Sequence, residues 1–239
     1  YTFTAKKNAG LTDGESATVE FGYTIKDSDD DSADAKLTIT INGDSNVPTI
    51  DITKPSTGDA NIMVDEGALA GGSDQHTEHG ISGTGSFSVN LNGEDGTITV
   101  GGESGWKVTI TGDTADVTGS VVTVNGVKVT VTGATQGEDG RWTVNYSYEL
   151  SENQLHKDAD SSDYQTDELS GTITVDVVDA TGDATQGSIT VEVHDDGPEV
   201  TATNPEPTHA ADTETGTVSG EFTVNYGADG PGNSTFTYT

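Results

Sequence analysis

The stretch ITVDVVDATGDATQGSITVEV, residues 173–193, decides the fold. Around an acidic, glycine-bearing centre, DATGD (179–183), apolar and polar residues alternate: Ile173, Val175 and Val177 precede it, and Ile189, Val191 and Val193 follow. A period of two places all six side chains on one face of two extended strands. Gly, Asp and Thr between them supply the reversing turn. The stretch predicts an antiparallel hairpin with one buried face.

The same pattern occurs earlier in the chain. In residues 21–50 (FGYTIKDSDDDSADAKLTITINGDSNVPTI), Tyr23, Ile25, Asp27 and Asp31 match Val175, Val177, Asp179 and Asp183, and Leu37, Ile39 and Ile41 match Ile189, Val191 and Val193. Both copies end at a proline, Pro48 and Pro198, which lie 198 − 48 = 150 residues apart. A second match joins residues 81–96 (ISGTGSFSVNLNGEDG) to residues 218–230 (VSGEFTVNYGADG). A self-similar period is the mark of a tandem array. Residues 1–46 are expected to be the C-terminal part of one unit, 47–197 a complete unit, and 198–239 the N-terminal part of a third. Because the chain begins without Met and stops on STFTYT, it is expected to be a piece of a longer array.

Alternation continues through residues 85–91 (GSFSVNL), 96–100 (GTITV), 106–110 (WKVTI) and 141–148 (RWTVNYSY). Asn125-Gly126, flanked by Val121–Val124 and Val127–Val131, is a strong signal for a two-residue hairpin loop, since both loop positions need positive φ. Helical periodicity is absent. The expected fold class is all-β, a series of antiparallel β-sandwiches.

Composition sharpens this reading. The chain has 41 acidic and 9 basic residues, a formal charge of −32, and no cysteine. Such a charge repels phosphate backbones and anionic lipid surfaces, so neither nucleic acid nor membrane is an expected partner. No apolar run approaches the roughly 18–20 residues of a membrane span, and no basic-then-apolar segment opens the chain. Leu, Ile, Val and Phe make up roughly 19% of the residues, a level at which high net charge favours disorder. An external cation that neutralises part of the charge would resolve the conflict.

About half of the acids fit an evenly solvated surface; the rest gather at turns. Asp27, Asp29 and Asp31 share one turn, and Asp179 and Asp183 share its counterpart. Asp44 and Asn46 precede Pro48, as Asp195 and Asp196 precede Pro198, while Asp65 and Glu66 stand in VDEGALAGGSD (64–74). Asp158, Asp160, Asp163 and Asp167 crowd another loop, with a weaker signal. Ca²⁺ takes six to eight oxygens from carboxylates, amides and carbonyls, which bent acidic turns supply. The expectation is a calcium junction formed by Asp44, Asn46, Asp65, Glu66, Asp179 and Asp183. Asp195 and Asp196 would serve the next junction, and Asp27, Asp29 and Asp31 the one before. The alternative is that these acids form solvated turns.

The acidic junction before Pro48, the Asp-x-Asp turn and Val64-Asp65-Glu66 resemble the junctions of cadherin-like domains. More closely, VDEGALAGGSD, ISGTGSFSVNLNGEDG and HDDGP (194–198) in a unit of this length resemble the type I secretion repeat domain of very large bacterial repeats-in-toxin adhesins. The resemblance implies an extracellular, non-enzymatic stalk of Ig- or cadherin-like sandwiches at the bacterial cell surface, engaged in cell adhesion and biofilm formation. Its partners would be the neighbouring repeats, with a cell-surface or matrix ligand bound by other regions. A glycan- or peptide-binding module is the alternative. The glycine-rich nonapeptide of calcium β-rolls is absent.

Other chemistry has weaker signals. His76 and His79 form an HxxH pair, but in a loop-like stretch. No nucleophile elbow or phosphate-cradling loop occurs. Trp142, Val144, Tyr146 and Tyr148 share a strand face, expected to fill the core rather than stack on sugars.

Overall fold

A computed structural model describes residues 14–43, 46–56, 59–73, 78–156, 167–203 and 219–233, with the single positions 2, 11 and 235. The fold is all-β, and the described residues contain no α-helix. The strands are β1 (Ser16–Lys26), β2 (Ser32–Asn42), β3 (Thr49–Asp51), β4 (Ile62–Asp65), β5 (Ser82–Asn90), β6 (Gly96–Val100), β7 (Trp106–Thr111) and β8 (Thr114–Gly119). They continue as β9 (Val122–Val124), β10 (Val127–Gln136), β11 (Trp142–Leu150), β12 (Glu168–Asp179), β13 (Ala184–His194), β14 (Glu199–Ala202) and β15 (Phe222–Asn225).

Strands β3 to β13 build a sandwich. One sheet has the order β3-β5-β11-β10-β9, the other β4-β13-β12-β6-β7-β8. The alternating residues meet between them: Phe87, Val89, Val129, Trp142, Val144 and Tyr146 from the first sheet, Val64, Ile98, Val108, Val175, Ile189 and Val191 from the second, all buried. The tryptophans and Tyr146 thus fill the core as the pattern predicts. Trp106 packs against the same core, and its indole N–H donates to Val129 O across the sheets at 3.2 Å. Tyr146 and Tyr148 stand opposite Gly85 and Gly83, where a Cβ would collide with either ring. The Asn125-Gly126 loop takes φ 47° and 74°, and joins β9 to β10 as its composition requires.

The repeat is visible in hydrogen-bond register. β12 pairs with β13 from Glu168↔His194 to Val178↔Ala184, and β1 pairs with β2 from Ser16↔Asn42 to Lys26↔Ser32, the same register moved by 168 − 16 = 152 residues. The turns also agree. Asp27 Oδ1 accepts from the backbone N–H of Asp29 and Asp31, and Asp179 Oδ1 accepts from those of Thr181 and Asp183. Each turn closes through a left-handed residue, Asp30 (φ 74°) or Gly182 (φ 94°). At the other end, β14 and β15 pair as Val200↔Val224, matching Ile50↔Val89 of β3 and β5.

The two copies of the hairpin differ in what covers them. The apolar face of β12–β13 is sealed by the opposing sheet, whereas Val19, Phe21, Tyr23 and Ile25 of β1 are exposed, Ile25 by 65%. Apolar residues of the two hairpins should therefore respond differently to truncation. Ile189→Ala is expected to lower stability by about 2–5 kcal/mol, and Ile25→Ala to change it by less than about 0.5 kcal/mol. Urea unfolding midpoints measure both; similar losses would contradict the burial assignment.

Candidate metal centre

The acidic clusters fall at the two ends of the sandwich. At the upstream pole, where the chain arrives, the turn after β12 meets the loop before β6: Ala180 N donates to Asp95 O at 2.9 Å, and Asp179 pairs with Gly96. Asn46 reaches the same loop, with its amide 3.4 Å from Glu94 Oε1. The Asn92 side chain binds the carbonyls of Asn46 and Val47. Here Glu94 Oε2, Asp179 Oδ2 and Asp183 Oδ2 are buried and have no hydrogen-bond partner. Asp44 lies outside the described residues.

Asp65 and Glu66 are not at this pole, which corrects the expected grouping with Asp179 and Asp183. The cause is strand direction. β4 runs parallel to β13, with Val193↔Val64 and His194↔Asp65, so both strands end where the chain leaves the sandwich. At this downstream pole Asp65 caps a 3-10 turn, Glu66–Ala68, and both its oxygens are engaged: Oδ1 accepts from Gly67 N and Oδ2 from Glu78 N. Asp196 is also occupied by the protein itself. It accepts from Ser73 N, the Ser73 hydroxyl and Ala228 N, clamping the turn region to the loop after β15. These two residues hold the backbone in place.

Glu66 is different. It is fully buried; Oε1 accepts from Gln154 N, and Oε2 has no partner. The His156 side chain, only 3% exposed, sits beside it with Nε2 3.6 Å from Glu66 Oε1 and Nδ1 3.7 Å from Asp167 Oδ1. Neither ring nitrogen has a hydrogen bond. Glu66, His156 and Asp195 bring ligand atoms within 4.8 Å of one another, and Asp195 N donates to Asp167 O. Burial pushes the Asp195 carboxyl up to about 6, with Asp229 and Glu66 adding to the rise and His156 opposing it. Burial lowers His156, but Glu66, Asp195 and Asp167 outweigh it and leave the imidazole above its ordinary value. Burial also raises Asp65.

Among the described residues two further groups bring potential ligands within 4.8 Å, and the upstream carboxylates Glu94, Asp179 and Asp183 are not one of them. Asp27, Asp29 and Asp31 form an exposed cluster at the β1–β2 turn, where a side-chain hydrogen bond shared with Asp29 lowers Asp27. Glu168, Glu192 and His194 form a part-exposed group on the outer face of β12 and β13, with His79 edge-on to His194. His79 is thus a neighbour of His194; His76, the other member of the HxxH pair, like Asp158, Asp160 and Asp163, lies outside the described residues. His156 and Glu94 had no distinctive spacing in the sequence. Their one local signal is position, His156 as a lone histidine and Glu94 in the acidic turn between the alternating stretches 85–91 and 96–100.

No protein-family model matches this chain, and no curated protein matches it either.

The downstream carboxylates and imidazole set a pH dependence. Asp195, Asp65 and His156 all have folded values above their unfolded ones, so each stabilises the protein below its unfolded value and loses that contribution as pH rises through the folded value. In chelator, the thermal midpoint is expected to rise as pH falls from about 7.5 to about 5. A flat or falling midpoint across that window, read by circular dichroism, would contradict these assignments.

Proposed function

We propose that this chain is a stalk segment of tandem β-sandwiches, of the type I secretion repeat kind, whose poles are stiffened by bound calcium. In this reading it extends a bacterial surface adhesin outside the cell and serves adhesion and biofilm formation without enzymatic chemistry. The observation that carries the proposal is the set of partnerless, buried carboxylate oxygens at the ends of the sandwich, Glu94, Asp179 and Asp183 upstream and Glu66 downstream.

A buried carboxylate without a partner is costly, because the lost hydration is not replaced. A dication placed among several such oxygens replaces that hydration and cancels their repulsion. Metal that binds only the folded junction adds its binding free energy to folding, about 2.7 kcal/mol per site at a hundredfold excess over Kd. The same bond joins elements on both sides of a junction, as Asn46 and Glu94 do upstream. Stiffness then follows from metal occupancy. The glycan-binding alternative would require an exposed aromatic shelf at the tryptophans, whereas Trp142 is buried and Trp106 packs on the core.

Chelation of calcium is expected to lower the melting temperature by more than about ten degrees, the sum of a few such sites in a domain of this size. Asp179→Asn together with Asp183→Asn should remove much of that sensitivity. An unchanged melt on chelation, followed by calorimetry, would overturn the proposal.

A further inference from the structure

The two poles present different donor atoms. Upstream, the candidate ligands Asn46, Glu94, Asp179 and Asp183 offer oxygen only. All three described histidines, His79, His156 and His194, lie downstream: His156 beside Glu66, and His79 against His194 at the end of β13. Calcium favours oxygen and has little use for imidazole, whereas zinc and its neighbours bind imidazole and carboxylate together.

The geometry around His156 is that of ligands spaced for an ion. A direct charge-assisted contact between imidazole and carboxylate closes to about 2.7–2.9 Å. Nε2 instead stands 3.6 Å from Glu66 Oε1 and makes no hydrogen bond, although the side chain is almost fully buried. Two ligand atoms on a tetrahedral dication with bonds of about 2.0–2.1 Å lie about 3.4 Å apart. The opposite nitrogen, Nδ1, faces Asp167, which is where a carboxylate would fix the tautomer and orientation of a metal-bound histidine. Glu66 Oε2, buried and partnerless, and Asp195 complete a three-ligand set.

We propose that the downstream pole takes a borderline dication of the zinc class through His156 Nε2, Glu66 and Asp195, while the oxygen-only upstream pole takes calcium. The proposal rests on the reading of the poles as cation sites and replaces calcium by a zinc-class ion at the downstream one. Each sandwich then carries two chemically distinct poles, and depletion of one metal would empty only one of them.

The test is a zinc titration against a chromophoric chelator in millimolar calcium, with wild type, His156→Asn, His156→Asp and His194→Asn. Wild type should hold one zinc that calcium does not displace. His156→Asn should weaken zinc by more than the roughly 10–100-fold typical of losing a supporting partner. His156→Asp should make the site sensitive to calcium, and His194→Asn should leave the tight site unchanged. Should the His156 variants fail to fold, ring ¹⁵N shifts of the wild-type histidines during the titration give the same answer: His156 should move first. Displacement of the zinc by calcium, or a first shift at His194, would overturn the proposal while leaving calcium stiffening intact. A melt indifferent to chelation of calcium, with zinc still bound at His156, would instead overturn the calcium reading alone.

Discussion

Buried carboxylate oxygens with no hydrogen-bond partner, at both ends of the sandwich, are the constraint this molecule has to meet. The sandwich between its poles is ordinary in construction: two sheets, a core of Val and Ile with Trp142 and Tyr146, and a hairpin loop at Asn125-Gly126. That core is small for a chain carrying a charge of −32. Self-repulsion opposes compaction, most strongly where acids are forced together and desolvated. The ends of the sandwich are such places. Turns and strand ends converge there: a backbone hydrogen bond holds Asp179 beside Asp183, and the pairing of β4 with β13 brings Glu66 and Asp195 to one end. The protein satisfies some of these oxygens itself, as Asp65 does by capping its 3-10 turn and Asp196 by clamping Ser73 and Ala228. Those at Glu66, Glu94, Asp179 and Asp183 retain an unpartnered oxygen.

Much of the fold was legible because strand pairing in a hairpin is local. The alternation in residues 173–193 fixes which side chains face inward, and the acidic centre fixes where the chain reverses. The earlier copy then repeats the same register 152 residues away. The aromatic residues of β11 were legible for the same reason. What the sequence did not reveal is long-range direction. Nothing in the residues of β4 states that it runs parallel to β13, and that single pairing moves Asp65 and Glu66 from one end of the sandwich to the other. His156 escaped notice because a lone histidine in a loop has no periodicity, and its importance comes from burial against Glu66 and Asp167, which only the folded chain creates.

The flanking strand pairs extend the same logic beyond one sandwich. β1 and β2 present the apolar face that β12 and β13 bury, and β14 and β15 reproduce the pairing of β3 and β5. Identical registers with different burial indicate that local sequence suffices to form each hairpin, while its stability comes from the sheet that covers it. Between such elements, the poles are where electrostatics can tie one element to the next. Asp229, beyond β15, bonds Asn153 and adds to the field at Asp195, so the downstream cluster already includes a charge from the following segment.

The central claim concerns cations at the poles, and the most direct measurement is anomalous scattering from crystals grown with calcium and zinc. The account predicts anomalous density among Asn46, Glu94, Asp179 and Asp183 upstream, and between Glu66, His156 and Asp195 downstream. Two poles without density, with the same side chains holding the same positions around ordered water, would contradict it.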